Sequence, residues 1–226
     1  SLSRYSGSIC WAMGCAMSLI HARGADAMPI LAISNLHLMM ASFDGEAHVL
    51  NGVNLTVNKG EIWGLVGETG CGKTLTGLSI SRLLAQPPAR YHSGSIHFDG
   101  VDVLQHDEAE MRQLRGRRIG MIFQDPTTNL NPSFRVVDQL MDVAMHAGRV
   151  SPHILGVTAA ASRSLRRKAA RQLAISMLEK VGITNAAQRA DDYPHQFSGG
   201  MRQRVLIAMA LIGQPDFAPA VLPCGA

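Results

Sequence analysis

Cysteine is scarce in this chain: four among 226 residues, at positions 10, 15, 71 and 224, with no Cys-x-x-Cys pair and no His/Cys cluster at metal spacing. That excludes a disulfide framework and a zinc site as organising devices, and it fits a reducing compartment. No apolar run reaches the ~20 residues of a membrane span. Low-complexity tracts and internal repeats are also missing, and 46% hydrophobic with 17% charged residues is the balance of a globular domain with a core. A strong excess of one charge is absent too. The net charge of +4 permits contact with phosphate or anionic lipid without arguing for either, because Arg163, Arg166, Arg167, Lys168 and Arg171 read as a solvated helix face.

Residues 1–28 stand apart as an N-terminal extension. Arg4, the apolar stretch ICWAMGCAMSLI (9–20) and the triplet Ala25-Asp26-Ala27 imitate a secretory signal. Three readings compete: a signal, an N-terminal packing helix, or upstream sequence ahead of a start at Met28. The third fits best, since the chain opens on Ser1 and the patterned domain begins just after Met28.

From residue 29 onward strand-like and helix-like stretches alternate. Residues 31–39 and 48–57 read as an antiparallel pair of strands around the turn FDGE, and Asn58-Lys59-Gly60 turns the chain into a third strand over 61–66. Residues 93–103 form a hairpin on the two-residue turn Asp99-Gly100. Helices are predicted over 73–84, 107–116, 135–148 and 158–182, the last stopped by Gly182, and 118–123 is strand-like. The helix-rich stretch from about 130 to 213 reads as a subdomain beside the sheet.

The chemistry concentrates in Gly67-Glu68-Thr69-Gly70-Cys71-Gly72-Lys73-Thr74, lying between a strand and a helix. It satisfies G-x-x-x-x-G-K-[ST], a pattern met by chance in roughly one chain of this length in a hundred. Gly67, Gly70 and Gly72 let successive backbone amides turn inward toward phosphate oxygens, and the following helix adds its N-terminal dipole. Lys73 would bridge the β- and γ-phosphates and the Thr74 hydroxyl would ligate Mg²⁺. These features describe a nucleoside triphosphate site. Cys71 is either a small filler or a reactive thiol at a helix N-terminus.

Two further stretches narrow the reading. MIFQDP (121–126) ends a strand on Gln124 before an Asp-Pro turn, and FSGGMRQR (197–204) opens a helix with Ser198 as N-cap and two glycines that expose amides. Together and in this order, the three motifs resemble the ATP-binding subunit of ABC transporters, over residues 29–216. RRIGMIFQDPTTNLNPSFRV and YPHQFSGGMRQRVLIAMAL are similar to the oligopeptide/dipeptide/nickel importer branch.

The resemblance implies an α/β fold: a P-loop NTPase core with an antiparallel β subdomain and a helical signature subdomain. It implies ATP and Mg²⁺ as cofactors, with Gly67 through Leu75 around the nucleotide and Thr74 and Gln124 near the metal. Gln124 would help position the attacking water. Ser198, Gly199, Gly200 and Met201 would face the ATP of an opposite subunit in a head-to-tail dimer. A membrane permease and, indirectly, a substrate-binding protein would complete an importer of peptides or nickel, peripheral to the cytoplasmic face of the inner membrane. A non-catalytic ATP-binding remnant and a soluble ATPase acting on nucleic acid are the alternatives. Neither a coiled-coil insertion nor a duplicated cassette speaks for the latter, so no nucleic-acid partner is expected.

Departures from the family pattern matter as much. The adenine-stacking aromatic is replaced at the aligned position by Met40, with Phe43 three residues on as a substitute. Leu75 stands where relatives carry a hydroxyl. After Asp216 the family continues into an apolar strand ending Asp-Glu and later a histidine, whereas residues 217–226 (FAPAVLPCGA) match neither, so the pattern assigns no general base. The expectation is a cassette incomplete at its C-terminal side.

Overall fold

In the computed structural model the described residues are 5–12, 15–22, 29–42, 45–68, 70–123, 125–150, 152–158 and 160–220. The chain divides into two compact units, the first within Ser1–Met111 and the second within Arg112–Leu222.

The first unit holds two antiparallel sheets. Strands β3 (Pro29–Ser42) and β4 (Gly45–Asn58) pair as the sequence predicts, and β6 (Ala89–Phe98) and β7 (Val101–Asp102) extend them in the order β4-β3-β6-β7. The β6–β7 turn has Asp99 at φ 49 and Gly100 at φ 84, the two positive values that a tight hairpin needs. In the second sheet, β1 (Tyr5–Ala12) and β2 (Cys15–Ala22) form a hairpin, and β2 pairs with β5 (Ile62–Val66). The described residues of the N-terminal extension, 5–12 and 15–22, run as strands, so they do not form the packing helix that is one reading of it.

Strand β3 does not alternate cleanly: its pairing with β4 shifts register at four places, and the two in the middle offset each other. Ile33 pairs with Leu55 but Leu36 with Val53, so β3 carries one extra residue, and Asn35 sits there at φ 46. Leu38 then pairs with Leu50, so β4 carries the next extra residue, with Gly52 at φ 71. A one-residue slip would turn an apolar face outward. The two bulges restore it, and Ile33, Leu36, Leu38, Val53 and Leu50 are all buried. On the other side of β3, Gly94 of β6 has φ 94, and a Cβ there would lie 2.3 Å from the Asn35 carbonyl oxygen.

Helix α1 (Lys73–Ile80) stops four residues earlier than predicted. Arg82 adopts φ 47, Leu83 N–H bonds back to the Leu78 carbonyl and Arg82 N–H to that of Ser79, a left-handed helix stop made by an arginine. The Arg82 guanidinium is held in turn by the carbonyls of Val103 (3.2 Å) and His106. Helix α2 (Glu108–Leu114) follows.

The second unit is built on helices α3 (Pro126–Asn129), α4 (Val136–Val150), α5 (Arg163–Lys180), α6 (Ala186–Arg189) and α7 (Gly199–Leu211). Helix α5 starts later than predicted, at Ser162, whose side chain accepts from Leu165 N–H. Small residues Ala170 and Ala174 and then Leu178 make its buried stripe, closing on Val137, Leu140 and Ala144 of α4 and Val205 and Ala208 of α7. Gly182 ends α5 at φ 80 as predicted, and Arg204 of α7 donates to its carbonyl at 2.8 Å.

Residues 118–123 do not form the continuous strand that their sequence suggests. They pair in parallel with 217–220 through bridges Ile119–Phe217 and Ile122–Ala220. Phe217 N–H donates to Arg118 O, Gly120 N–H to Phe217 O and Ile122 N–H to Pro219 O. The bond missing from this ladder is the one Pro219 would donate, because proline has no N–H. Arg118 Nε adds an ion pair to Asp216 at 2.7 Å. Residues 217–220 are thus attached to the unit.

Candidate nucleotide site

Strand β5 delivers the chain into the loop 67–72, and α1 begins at its far end. Gly70 and Gly72 have φ 88 and 89, a conformation that costs an L side chain ~1–2 kcal/mol. Gly72 is the N-cap of α1 and carries no side chain over the helix end, so the first amides of α1 open toward the loop. Lys73 reaches back across it. Its Nζ donates to the carbonyls of Gly67 (2.7 Å) and Glu68 (2.6 Å) and lies 3.4 Å from Cys71 Sγ.

The two threonines of the first turn have different fates. Thr76 is buried and its hydroxyl donates to Gly72 O at 3.0 Å, so it is spent on the fold. Thr74 is exposed, and its hydroxyl takes no partner among the described residues. That free oxygen beside Lys73 is the donor a hard cation such as Mg²⁺ requires. Cys71 is wholly buried, as the filler reading demands, and Leu75 is partly buried. Met40 lies near the end of β3, half-buried. Thr69, Gln124 and Phe43 lie outside the described residues.

In the second unit Ser198 is the N-cap of α7, its Oγ accepting from Met201 N–H at 3.4 Å. A Cβ on Gly199 or Gly200 would meet nothing within 4 Å. Local packing therefore does not demand glycine at either position; its effect is to leave the helix-end amides uncovered. The approach to this helix is braced by charge. Arg171 holds the Asp191 carboxylate with both nitrogens, at 3.1 and 2.7 Å, and Arg135 stands 3.5 Å away.

The Arg171 hydrogen bonds, aided by the charge of Arg135, hold the Asp191 carboxyl below the usual carboxylate range. A carboxyl depressed in the folded state stabilises above its unfolded value, ~3.9, and the contribution disappears as pH falls through the folded value. The pair is half exposed, so the effect is small, below ~1 kcal/mol. Acid unfolding followed by circular dichroism should accordingly show an Arg171→Gln variant less stable than the parent at pH 6, with the difference shrinking below about pH 4. A pH-independent difference would contradict this account.

Sequence reasoning placed the loop and the Ser198 cap but missed Arg189 and Arg202, whose contacts shape the approach to α7, and Arg204, which ties α7 to the end of α5. In the sequence they are ordinary basic residues of helical segments, and only tertiary geometry distinguishes them.

A loop with glycines at positive φ and its own lysine turned back onto it, between strand and helix, is the arrangement of a P-loop. The ABC transporter family model matches residues 50–218, and the chain belongs to that family. It is 43% identical over 195 residues to the probable D,D-dipeptide transport ATP-binding protein DdpD of Escherichia coli, covering 86% of this chain and 55% of that protein. Against the dipeptide transport ATP-binding protein DppD of Bacillus subtilis it is 42% identical over 194 residues, covering 86% and 53%. The chain spans about half the length of the curated relatives it matches. Among solved structures it is similar to the dimeric ATP-binding cassette MJ0796 in a post-hydrolysis state bound to ADP and Pi. There the TM-score is 0.63 at 25% identity, over 84% of this chain and 72% of that one.

Proposed function

We propose that this chain is the nucleotide-binding part of an ATPase subunit that powers import of peptides through a membrane permease. The observation that carries the reading is the loop 67–74, with Lys73 held inside it and the Thr74 hydroxyl free beside it. ATP, bound with Mg²⁺, would supply a γ-phosphoryl group whose transfer to water drives the transport cycle. The chain's own residues would position that group. Lys73, with the backbone amides of Gly70–Gly72, would hold the phosphates, and Thr74 and Gln124 would hold the metal and position the attacking water.

Ser198, Gly199, Gly200 and Met201 serve the ATP of a second subunit arranged head-to-tail. The uncovered helix end at Gly199 and Gly200 supports this role. The names of the relatives favour peptides over nickel as cargo. Among the described residues no helix is long and apolar enough to cross a membrane.

One observation favours a second reading, binding without turnover. Residues 217–226 carry neither Asp nor Glu in the stretch where the family pattern has its Asp-Glu. A combined experiment on the purified chain tests both. MgATP is expected to bind and to drive dimerisation seen by light scattering, and Ser198→Ala should weaken the dimer while sparing nucleotide binding. Phosphate release at an enzymatic rate would reject binding without turnover; an absence of MgATP binding by a folded sample would reject both readings.

A further inference from the structure

Arg189, the last residue of α6, has its guanidinium committed on every side. Nε pairs with Asp192 at 3.2 Å, Nη2 donates to the Gln196 carbonyl at 2.9 Å and Nη1 lies 3.4 Å from Met201 Sδ. The Phe197 ring lies beneath the cation, 4.6 Å from Cζ to centroid. These four contacts bracket Ser198: two fall just before it, one just after, and one anchors the start of the segment.

Phe197 is the hinge of the arrangement. Its ring is 2% exposed, and its carbonyl is gripped from the other side by Arg202 Nε at 3.0 Å. Tyr193 N–H closes on Gln196 Oε1 at 2.8 Å, and the carbonyls of Ala190 and Asp192 cap the first amides of α4, at Val137 and Val136. By contrast a Cβ on Gly199 or Gly200 would meet nothing within 4 Å, so apart from the bond from Met201 N–H to Ser198 Oγ the contacts that place this stretch come from the segment before it. A lysine could satisfy one of these partners at a time; a planar fork with a stacking face is needed for all four.

We propose that Arg189 is a positioning residue for the signature segment. It fixes Gln196, Phe197 and Met201 around Ser198 and so aims the helix-end amides at phosphate carried by a second copy of the subunit. The proposal rests on the reading of Ser198–Met201 as acting in trans, and its test separates the two.

Amide hydrogen exchange on the 226-residue chain reads the clamp directly. Arg189→Ala is expected to speed exchange of the hydrogen-bonded amides of Gln196, Phe197 and Met201 by roughly tenfold or more, the loss of charged hydrogen bonds, while α4 and α5 keep their protection. MgATP binding to the variant's own loop should stay within about twofold, and ATP-driven dimerisation should weaken by roughly tenfold or more. Arg189→Lys should recover only part of either effect. Unchanged exchange overturns the proposal, and so does faster exchange with undiminished dimerisation. If the parent chain fails to dimerise on MgATP while Arg189→Ala still speeds exchange, the clamp is upheld and the trans-phosphate reading falls.

Discussion

Lys73→Ala is expected to lower MgATP affinity by two orders of magnitude or more. The ammonium is the single full positive charge that the loop directs inward, within 2.7 Å of two carbonyls that a phosphate would replace. Hydrogen bonds to charged groups contribute ~1.5–3 kcal/mol each, so losing two of them costs about 3–6 kcal/mol of binding, a hundredfold at least. Titration with MgATP in a calorimeter would measure it. Lys73→Arg should not restore binding, because a planar, delocalised guanidinium cannot act as the compact point charge that the ammonium is. Thermal unfolding should move little, since Lys73 is only half-buried. Unchanged affinity would mean that nucleotide is held somewhere other than this loop.

The largest stability effect belongs to a glycine with no part in that chemistry. Gly94→Ala is expected to destabilise the chain by about 2–5 kcal/mol, from ~1–2 for a side chain at positive φ and ~1–3 for overpacking. The steric part is severe because its neighbours are backbone: Asn35 O at 2.3 Å and Leu36 Cα at 2.6 Å from the new Cβ. Gly100 provides the control. It also has positive φ but nothing within 4 Å of its Cβ, so Gly100→Ala should cost only the conformational part. Denaturant unfolding of the two variants isolates the difference, and equal losses would remove the steric argument.

These two positions show what can and cannot be read from a sequence. Lys73 is legible because the phosphate loop is local: eight consecutive residues carry its glycines, its cation and its hydroxyl, and the flanking strand and helix announce themselves. Ser198 is legible for the same reason, as a cap beside the helix it starts. Gly94 is not, since its constraint arrives from Asn35, 59 residues earlier, across a bulge that no local pattern marks. The alternation of β3 fails at that bulge, which sequence reading took as part of an unbroken strand. Likewise α1 ends at an arginine rather than a glycine, because the carbonyls of Val103 and His106 hold Arg82 in place. The parallel partner of residues 118–123 was invisible because Pro219 looked like the end of structure.

That parallel pairing bears on how the second unit assembles. Its two sides are 98 residues apart in sequence, and all of α3 to α7 lies between them. Closing so long a loop carries an entropic cost that only the finished helical cluster can offset. The helices should therefore condense first and the short ladder zip last. With one rung deleted by Pro219, it would also be the first part to open, making hydrogen exchange at Gly120 and Ile122 an early reporter of partial unfolding in this unit.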